Sequence, residues 1–312
     1  MRTVLQGFVE RWIGSEERVQ RAERVRPQAP GPSPLQADLD SRKLRGPQEL
    51  ALVARRPPWK EVFGSFHPSD YYVFVLRMPD GLFREEEVPE LANWIRGINA
   101  YLKRPIVEFT WNQKQCGHYY SSSHQVGLRP EWHVEPSRRA ESARATLSHE
   151  MMHGLFHSDG LDRDAAWRSI YRLSLADRSY ELFDDSNYSP SRPDYYGHPY
   201  DSESEAFASA GAAYYQAADA MAQFILHPET PEDMRLVGRA AWCYLRDRVF
   251  GGKVFTEQGE DPFAGESLDS LLAQVAAGEA RALWRAYWGE DPDVFDPARA
   301  GLIDYLLRRN PT

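Results

Sequence analysis

The stretch Ser148-His149-Glu150-Met151-Met152-His153-Gly154 carries the residues whose types and spacing point most directly to chemistry. On a helix, His149 and His153 are i and i+4, so their imidazoles project from one face. Such a pair can occupy two of the four tetrahedral positions on a zinc ion. Glu150 then stands beside the open position, where a carboxylate can take a proton from bound water. The same five-residue spacing also arises on ordinary helices that carry two surface histidines. A metal site therefore requires a third ligand elsewhere in the chain.

His157 continues the i, i+4 series, but geometry counts against it. His149 and His157 lie two such steps apart, roughly 12 Å along a straight helix. Metal–nitrogen bonds are about 2 Å, too short for one ion to bridge that span. The longer H-E-x-x-H-x-x-G-x-x-H pattern puts glycine and histidine where this chain has Phe156 and Asp159. His157 is therefore read as a helix-end histidine or as one that steadies a ligand from behind. A better source of the third ligand is Glu203-Ser204-Glu205-Ala206-Phe207-Ala208. A carboxylate in the first turn of a helix can be held rigidly, and Ala206 and Ala208 let that helix approach the motif helix closely. Glu203 and Glu205 both qualify on this ground, and the helix dipole favours an acid at either position without any metal.

The elements that must position these residues follow from apolar periodicity. Tyr71–Met78 is β-branched and aromatic and ends at Pro79-Asp80-Gly81, which predicts a strand and turn. Val88–Lys103 reads as a helix with Leu91, Trp94, Ile95, Ile98 and Leu102 on one side. Pro105–Trp111 and Gln125–Leu128 read as strands. The latter is the candidate sheet edge beside the site, where an extended peptide can add as one more strand. The motif helix spans 138–156, with Ala143, Leu147, Met151 and Leu155 as its buried stripe. A polar segment over 157–200 contains a short helix near 163–175. One helix then runs from Ser202 to Leu226, opened by Asp201-Ser202-Glu203. Helices near 231–249, 267–288 and 297–309 complete the C-terminal half. Ahead of all this, residues 1–25 predict an amphipathic helix, and 26–58 a proline-rich linker with a short helix near 47–54. The main domain is then 59–312, with the sheet and motif helix in 59–160 and the helical half in 161–312. The expected fold class is α+β, a small mixed sheet with an active-site helix followed by a mainly helical half.

H-E-x-x-H followed by a helical Glu-Ala-Phe-Ala resembles the gluzincin zinc metallopeptidases, most closely the lethal-factor-like and ImmA-like peptidases. The resemblance covers about residues 126–210. It implies a zincin-like fold, zinc on His149, His153 and Glu205, and Glu150 as general base. It also implies a tyrosine donor to the oxyanion from a Tyr-Gly shortly before the glutamate. Tyr196-Gly197 matches, with Tyr195 and Tyr200 as neighbouring alternatives. Members often carry another acid one turn after the ligand, where this chain has Ser209. Asp159, Asp184 and Asp185 are candidates for orienting the zinc histidines.

The expected activity is thus zinc-dependent hydrolysis of peptide bonds in a protein or peptide substrate. The competing expectation is a weak or inactive zincin-fold module that acts by binding a protein partner. Composition bounds both. The 312 residues carry a formal net charge of −9 and no basic block, which argues against nucleic acid. No apolar run reaches the length of a membrane span. Glu10 and Arg11 interrupt any signal-like N-terminal stretch, so the expected compartment is the cytoplasm, with export as an effector the alternative, and the abundance of arginine over lysine suggests a bacterial source. Cys116 and Cys243 are expected as reduced thiols. The substrate and the oligomeric state have no sequence signature.

Overall fold

The computed structural model describes residues 52–56, 59–65, 73–111, 117–129, 135–176, 182–183 and 199–288. The chain divides into two compact units, residues 1–42 with 283–312 and residues 43–282, and the site lies in the second. The amphipathic helix expected over 1–25, the linker ahead of Leu52 and the helix expected near 297–309 lie outside the described residues.

Among the described residues six strands form one mixed sheet in the order β1-β2-β3-β4-β6-β5. Strands β1 (Leu52–Arg56), β2 (Trp59–Ser65) and β3 (Val73–Pro79) run antiparallel in succession. Helix α1 (Glu87–Asn99) then returns the chain to β4 (Glu108–Thr110), parallel to β3. Strands β5 (His118–Tyr120) and β6 (Gln125–Gly127) form a hairpin, with β6 parallel to β4 and β5 outermost. The continuous apolar run Phe74-Val75-Leu76 suits a strand covered on both faces, and all three side chains are fully buried.

Two expectations are corrected here. The residues at 52–54, read as the end of a short helix, are strand, with Leu52 paired to Phe63 and Arg56 to Trp59. The sheet therefore begins before the expected boundary at Trp59, because antiparallel pairing outweighs the local helical pattern. Gln125–Gly127, the candidate edge, is interior, because the hairpin turn at 121–124 folds His118–Tyr120 back onto its outer side. His124 closes that turn at φ 54°, a left-handed conformation in which histidine is enriched. Its Nε2 lies 2.6 Å from the Arg104 carbonyl and must therefore donate, so Nδ1 accepts from the Tyr119 hydroxyl at 2.6 Å.

Helix α2 (Arg139–Ser158) packs against β5, β6 and α1. Its stripe of Ala143, Leu147, Met151 and Leu155 is buried throughout. Helices α3 (Ala165–Ala176), α4 (Glu203–Gln216), α5 (Ala218–Leu226) and α6 (Glu232–Tyr244) follow, then a π-helical turn Leu245–Val249 and α7 (Leu268–Trp288). The single helix expected over 202–226 breaks at Ala217, whose φ of −144° and ψ of 38° leave the helical region. Alanine favours helix, so tertiary contacts override propensity here. Asp219 in the first turn of α5 accepts from the Glu257 amide at 2.8 Å, and Tyr214 donates to the Lys253 carbonyl at 2.8 Å. The result is a small mixed sheet and a mostly helical remainder, an α+β fold. Among the described residues no helix is long and apolar enough to cross a membrane. Cys243 is a buried free thiol that burial pushes up to about 11, and Cys116 lies outside the described residues.

Candidate metal centre

Helix α2 is fixed on both sides of its histidines. Just before them, Trp94 Nε1 on α1 donates to Ser148 Oγ at 2.9 Å, and Ser148 donates onward to the Arg144 carbonyl at 2.8 Å. Just after them, Gly154 meets the segment following α1 so closely that a Cβ would stand 2.7 Å from Ile106 Cδ1. His149 and His153 are both buried, with rings 5.0 Å apart.

Helix α4 brings the third group. Ser202 caps it, accepting from the Glu205 amide at 3.1 Å, which makes Ser202 and Glu205 the ends of an S-x-x-E pattern. The first turn is where the backbone dipole best tolerates an anion. The Glu205 carboxylate lies against the histidines, its Oε2 3.1 Å from His149 Nε2 and 3.3 Å from His153 Nε2. Small residues make this approach possible. Ala206, Ala208 and Ala210 are fully buried, and a Cβ on Gly211 would stand 2.9 Å from Met152 Sδ on α2.

One ligand atom from each of His149, His153 and Glu205 fits within a 4.8 Å group that could hold a metal ion. The donor set, two imidazole nitrogens and one carboxylate oxygen, suits a divalent metal ion such as zinc. Tetrahedral bonds of 2.0–2.1 Å separate neighbouring donors by roughly 3.3–3.4 Å. The two nitrogen–oxygen distances here differ from that by a few tenths of an ångström at most, and all three ligand atoms lie within 4.8 Å, so the group could close on such an ion. The charge states fit as well. Burial opposes the Glu205 charge, but hydrogen bonds with His149 and His153 outweigh it and hold the carboxyl well below the usual range. Burial pushes His153 below its ordinary value, partly countered by Glu205, a direction that favours the uncharged ring a metal ligand requires.

Glu203, the alternative ligand, turns away. Its carboxylate is 3.6 Å from Arg168 Nε on α3, and burial raises it to about 6 against the pull of that guanidinium. Adjacent positions on a helix point about 100° apart, so one of two acids at i and i+2 faces the motif helix and the other faces α3. Asp159 does not orient the histidines. It ends α2 and accepts from the Lys103 amide at 3.2 Å. Tyr200 lies exposed in the turn before α4. Tyr195, Tyr196, Asp184 and Asp185 lie outside the described residues. Ser209 is fully buried, and its hydroxyl makes no hydrogen bond among the described residues.

Ser204 is a site residue that sequence reasoning missed. Its Oγ is 2.8 Å from His153 Nδ1 and 3.1 Å from His157 Nε2. Its only sequence signal is its position between the two candidate acids. Glu150, buried at 7% exposure, faces the start of β5. A Cβ on Gly117 would stand 2.5 Å from Glu150 Oε1. The outer strand of the sheet therefore begins against the carboxylate beside the histidine pair.

Compared with known proteins, the chain finds no match among family models, curated proteins or solved structures.

Proposed function

We propose that the chain is a zinc-dependent endopeptidase. The observation that carries this reading is the convergence of His149 Nε2, His153 Nε2 and Glu205 Oε2 from two helices, with Glu150 one residue from a histidine. A bound zinc ion supplies Lewis-acid polarisation of a scissile carbonyl and acidifies water. His149, His153 and Glu205 would hold it. Glu150 takes a proton from the attacking water at a carboxylate oxygen and delivers it to the departing amine nitrogen. A buried carboxylate suits this role, because little competing solvent reaches it.

Strand β5 supports a polypeptide substrate. Among the described residues it is the outermost strand of the sheet, and an extended segment added there pairs through main-chain hydrogen bonds. The strand begins next to Glu150, so a peptide on β5 runs past the base. A tyrosine of the 195–200 segment completes the reading as donor to the oxyanion.

The test is metal analysis combined with one conservative substitution. Protein purified without chelator should carry one zinc per chain, and Glu150→Gln should retain it. The same variant should lose about 10²–10⁴-fold in cleavage of a mixed peptide library. His153→Ala should lose the metal. Undiminished cleavage by Glu150→Gln would overturn the mechanism, and zinc binding without cleavage of any peptide would turn the reading towards a binding module.

A further inference from the structure

His153 is held on both of its ring nitrogens. Its Nε2 faces Glu205 at 3.3 Å, and its Nδ1 faces Ser204 Oγ at 2.8 Å. To offer the Nε2 lone pair to a cation, the neutral ring must carry its proton on Nδ1, and that N–H donates to Ser204 Oγ. A serine hydroxyl has one proton of its own to give. The remaining partner is His157 Nε2 at 3.1 Å, which accepts it. The direction of both hydrogen bonds is thereby set by the ligand's need to present Nε2.

His157 is braced in turn. Its ring lies within 17° of parallel to His153 at 6.4 Å and within 4° of Tyr119 at 6.1 Å. Tyr119 is tied through its hydroxyl to His124, and His124 to the Arg104 carbonyl. Ser204 belongs to α4 and His157 to the last turn of α2, so the bridge also fixes how the Glu205-bearing helix sits on the motif helix.

We infer that Ser204 and His157 form a positioning pair for the metal centre: the hydroxyl locks the proton of His153 on Nδ1, and His157 orients the hydroxyl. The inference rests on the metal-site reading above. Partners of this kind raise the affinity of a histidine site by about 10–100-fold. A hydroxyl is a neutral acceptor, so it fixes the tautomer while adding less negative charge to the ligand than a carboxylate adds.

The experiment measures Co2+ affinity of the full chain, by competition with a chromophoric chelator, together with the visible spectrum of the bound ion. Ser204→Ala should weaken Co2+ binding by about 10-fold or more and shift the spectrum. Ser204→Thr, which keeps the hydroxyl, should restore both. His157→Phe keeps a flat ring but removes the acceptor, and should weaken binding by a smaller factor. In a Ser204→Ala background, His157→Phe should add nothing, because it acts only through the hydroxyl. Wild-type affinity and spectrum in Ser204→Ala would overturn the pair alone, as would additive losses in the double variant. Failure of the wild-type chain to bind Co2+ would overturn the metal centre and the pair together.

Discussion

Gly117 and Glu150 are in contact so close that no side chain fits between them: a Cβ on residue 117 would stand 2.5 Å from Glu150 Oε1 and 2.6 Å from Thr146 Cγ2. The glycine is needed for space, because two different side chains of α2 occupy the position a Cβ would take. The start of the outer strand and the carboxylate thus form one wall of the site.

Gly117→Ala should therefore push Glu150 from its place while leaving the three metal donors untouched. A displacement on the order of 1 Å at a catalytic group costs about 10²-fold in rate. The expected outcome is a loss of that order in peptide cleavage with Zn2+ stoichiometry unchanged. Equal cleavage by Gly117→Ala and wild type would show that Glu150 tolerates the shift and that its contact with Gly117 has no role.

The two acids of α4 separate cleanly by partner. Glu205→Gln removes the charge from an atom 3.1 and 3.3 Å from the two imidazoles, whereas Glu203→Gln removes it from a partner of Arg168. Zn2+ affinity should fall in Glu205→Gln by more than the roughly 10–100-fold expected for a supporting residue. It should be unchanged in Glu203→Gln. Titration of both apo-variants with Zn2+ checks this, and the reverse ranking would reassign the ligand.

Legibility from sequence followed the range of the interactions. The i, i+4 row on α2 was readable because helical period alone puts His149, His153 and the Ala143–Leu155 stripe on their faces. The close approach of α4 could be anticipated from its alanines, although the choice between Glu203 and Glu205 depended on Arg168, a residue of a different helix. Ser204 was not readable, since its partners His153 and His157 reach it only after α2 and α4 pack. The edge strand was misplaced by one position in the sheet for a similar reason. Both Gln125–Gly127 and His118–Tyr120 are short, and only the hairpin register puts the second outside the first. The break at Ala217 has no local signal at all, because the loop it accommodates lies further along the chain.

His124 gives a pH-dependent prediction away from the candidate metal ligands. Burial lowers its pKa from the ordinary 6.5; the Arg104 carbonyl opposes this, the Arg104 charge adds to it, and Asp159 opposes. The folded chain therefore binds this proton more weakly than the unfolded chain. Its contribution to stability is fully present above about pH 6.5 and is lost as pH falls through the folded value. Asparagine tolerates the left-handed backbone at this position but does not titrate. His124→Asn should be less stable than wild type at pH 8, by about 1–3 kcal/mol for the hydrogen bonds removed, and the gap should shrink by pH 5. Urea midpoints at the two pH values measure it, and a gap independent of pH would remove His124 from the acid response.

The last prediction concerns the spacing of the helices themselves. Gly211 on α4 faces Met152 on α2, where a Cβ would stand 2.9 Å from Sδ, 3.0 Å from Cγ and 3.5 Å from the Met152 Cβ. Met152 lies between His149 and His153 in sequence, so a push at this contact acts on the stretch of α2 that carries both candidate ligands. An alanine at 211 meets the flexible end of a methionine, which can swing aside. A valine adds a branch at Cβ and leaves less room for that movement. Gly211→Val should therefore separate α4 from α2, move Glu205 away from the imidazoles and weaken Zn2+ binding, with overpacking costing about 1–3 kcal/mol of stability. Met152→Ala deletes Sδ and Cγ and leaves only the 3.5 Å contact, an ordinary van der Waals distance. If spacing is what fails, Met152→Ala should restore Zn2+ affinity to Gly211→Val, although it creates a cavity when made alone. A double variant that binds Zn2+ no better than Gly211→Val would show that Gly211 serves the fold without setting the distance between Glu205 and the histidines.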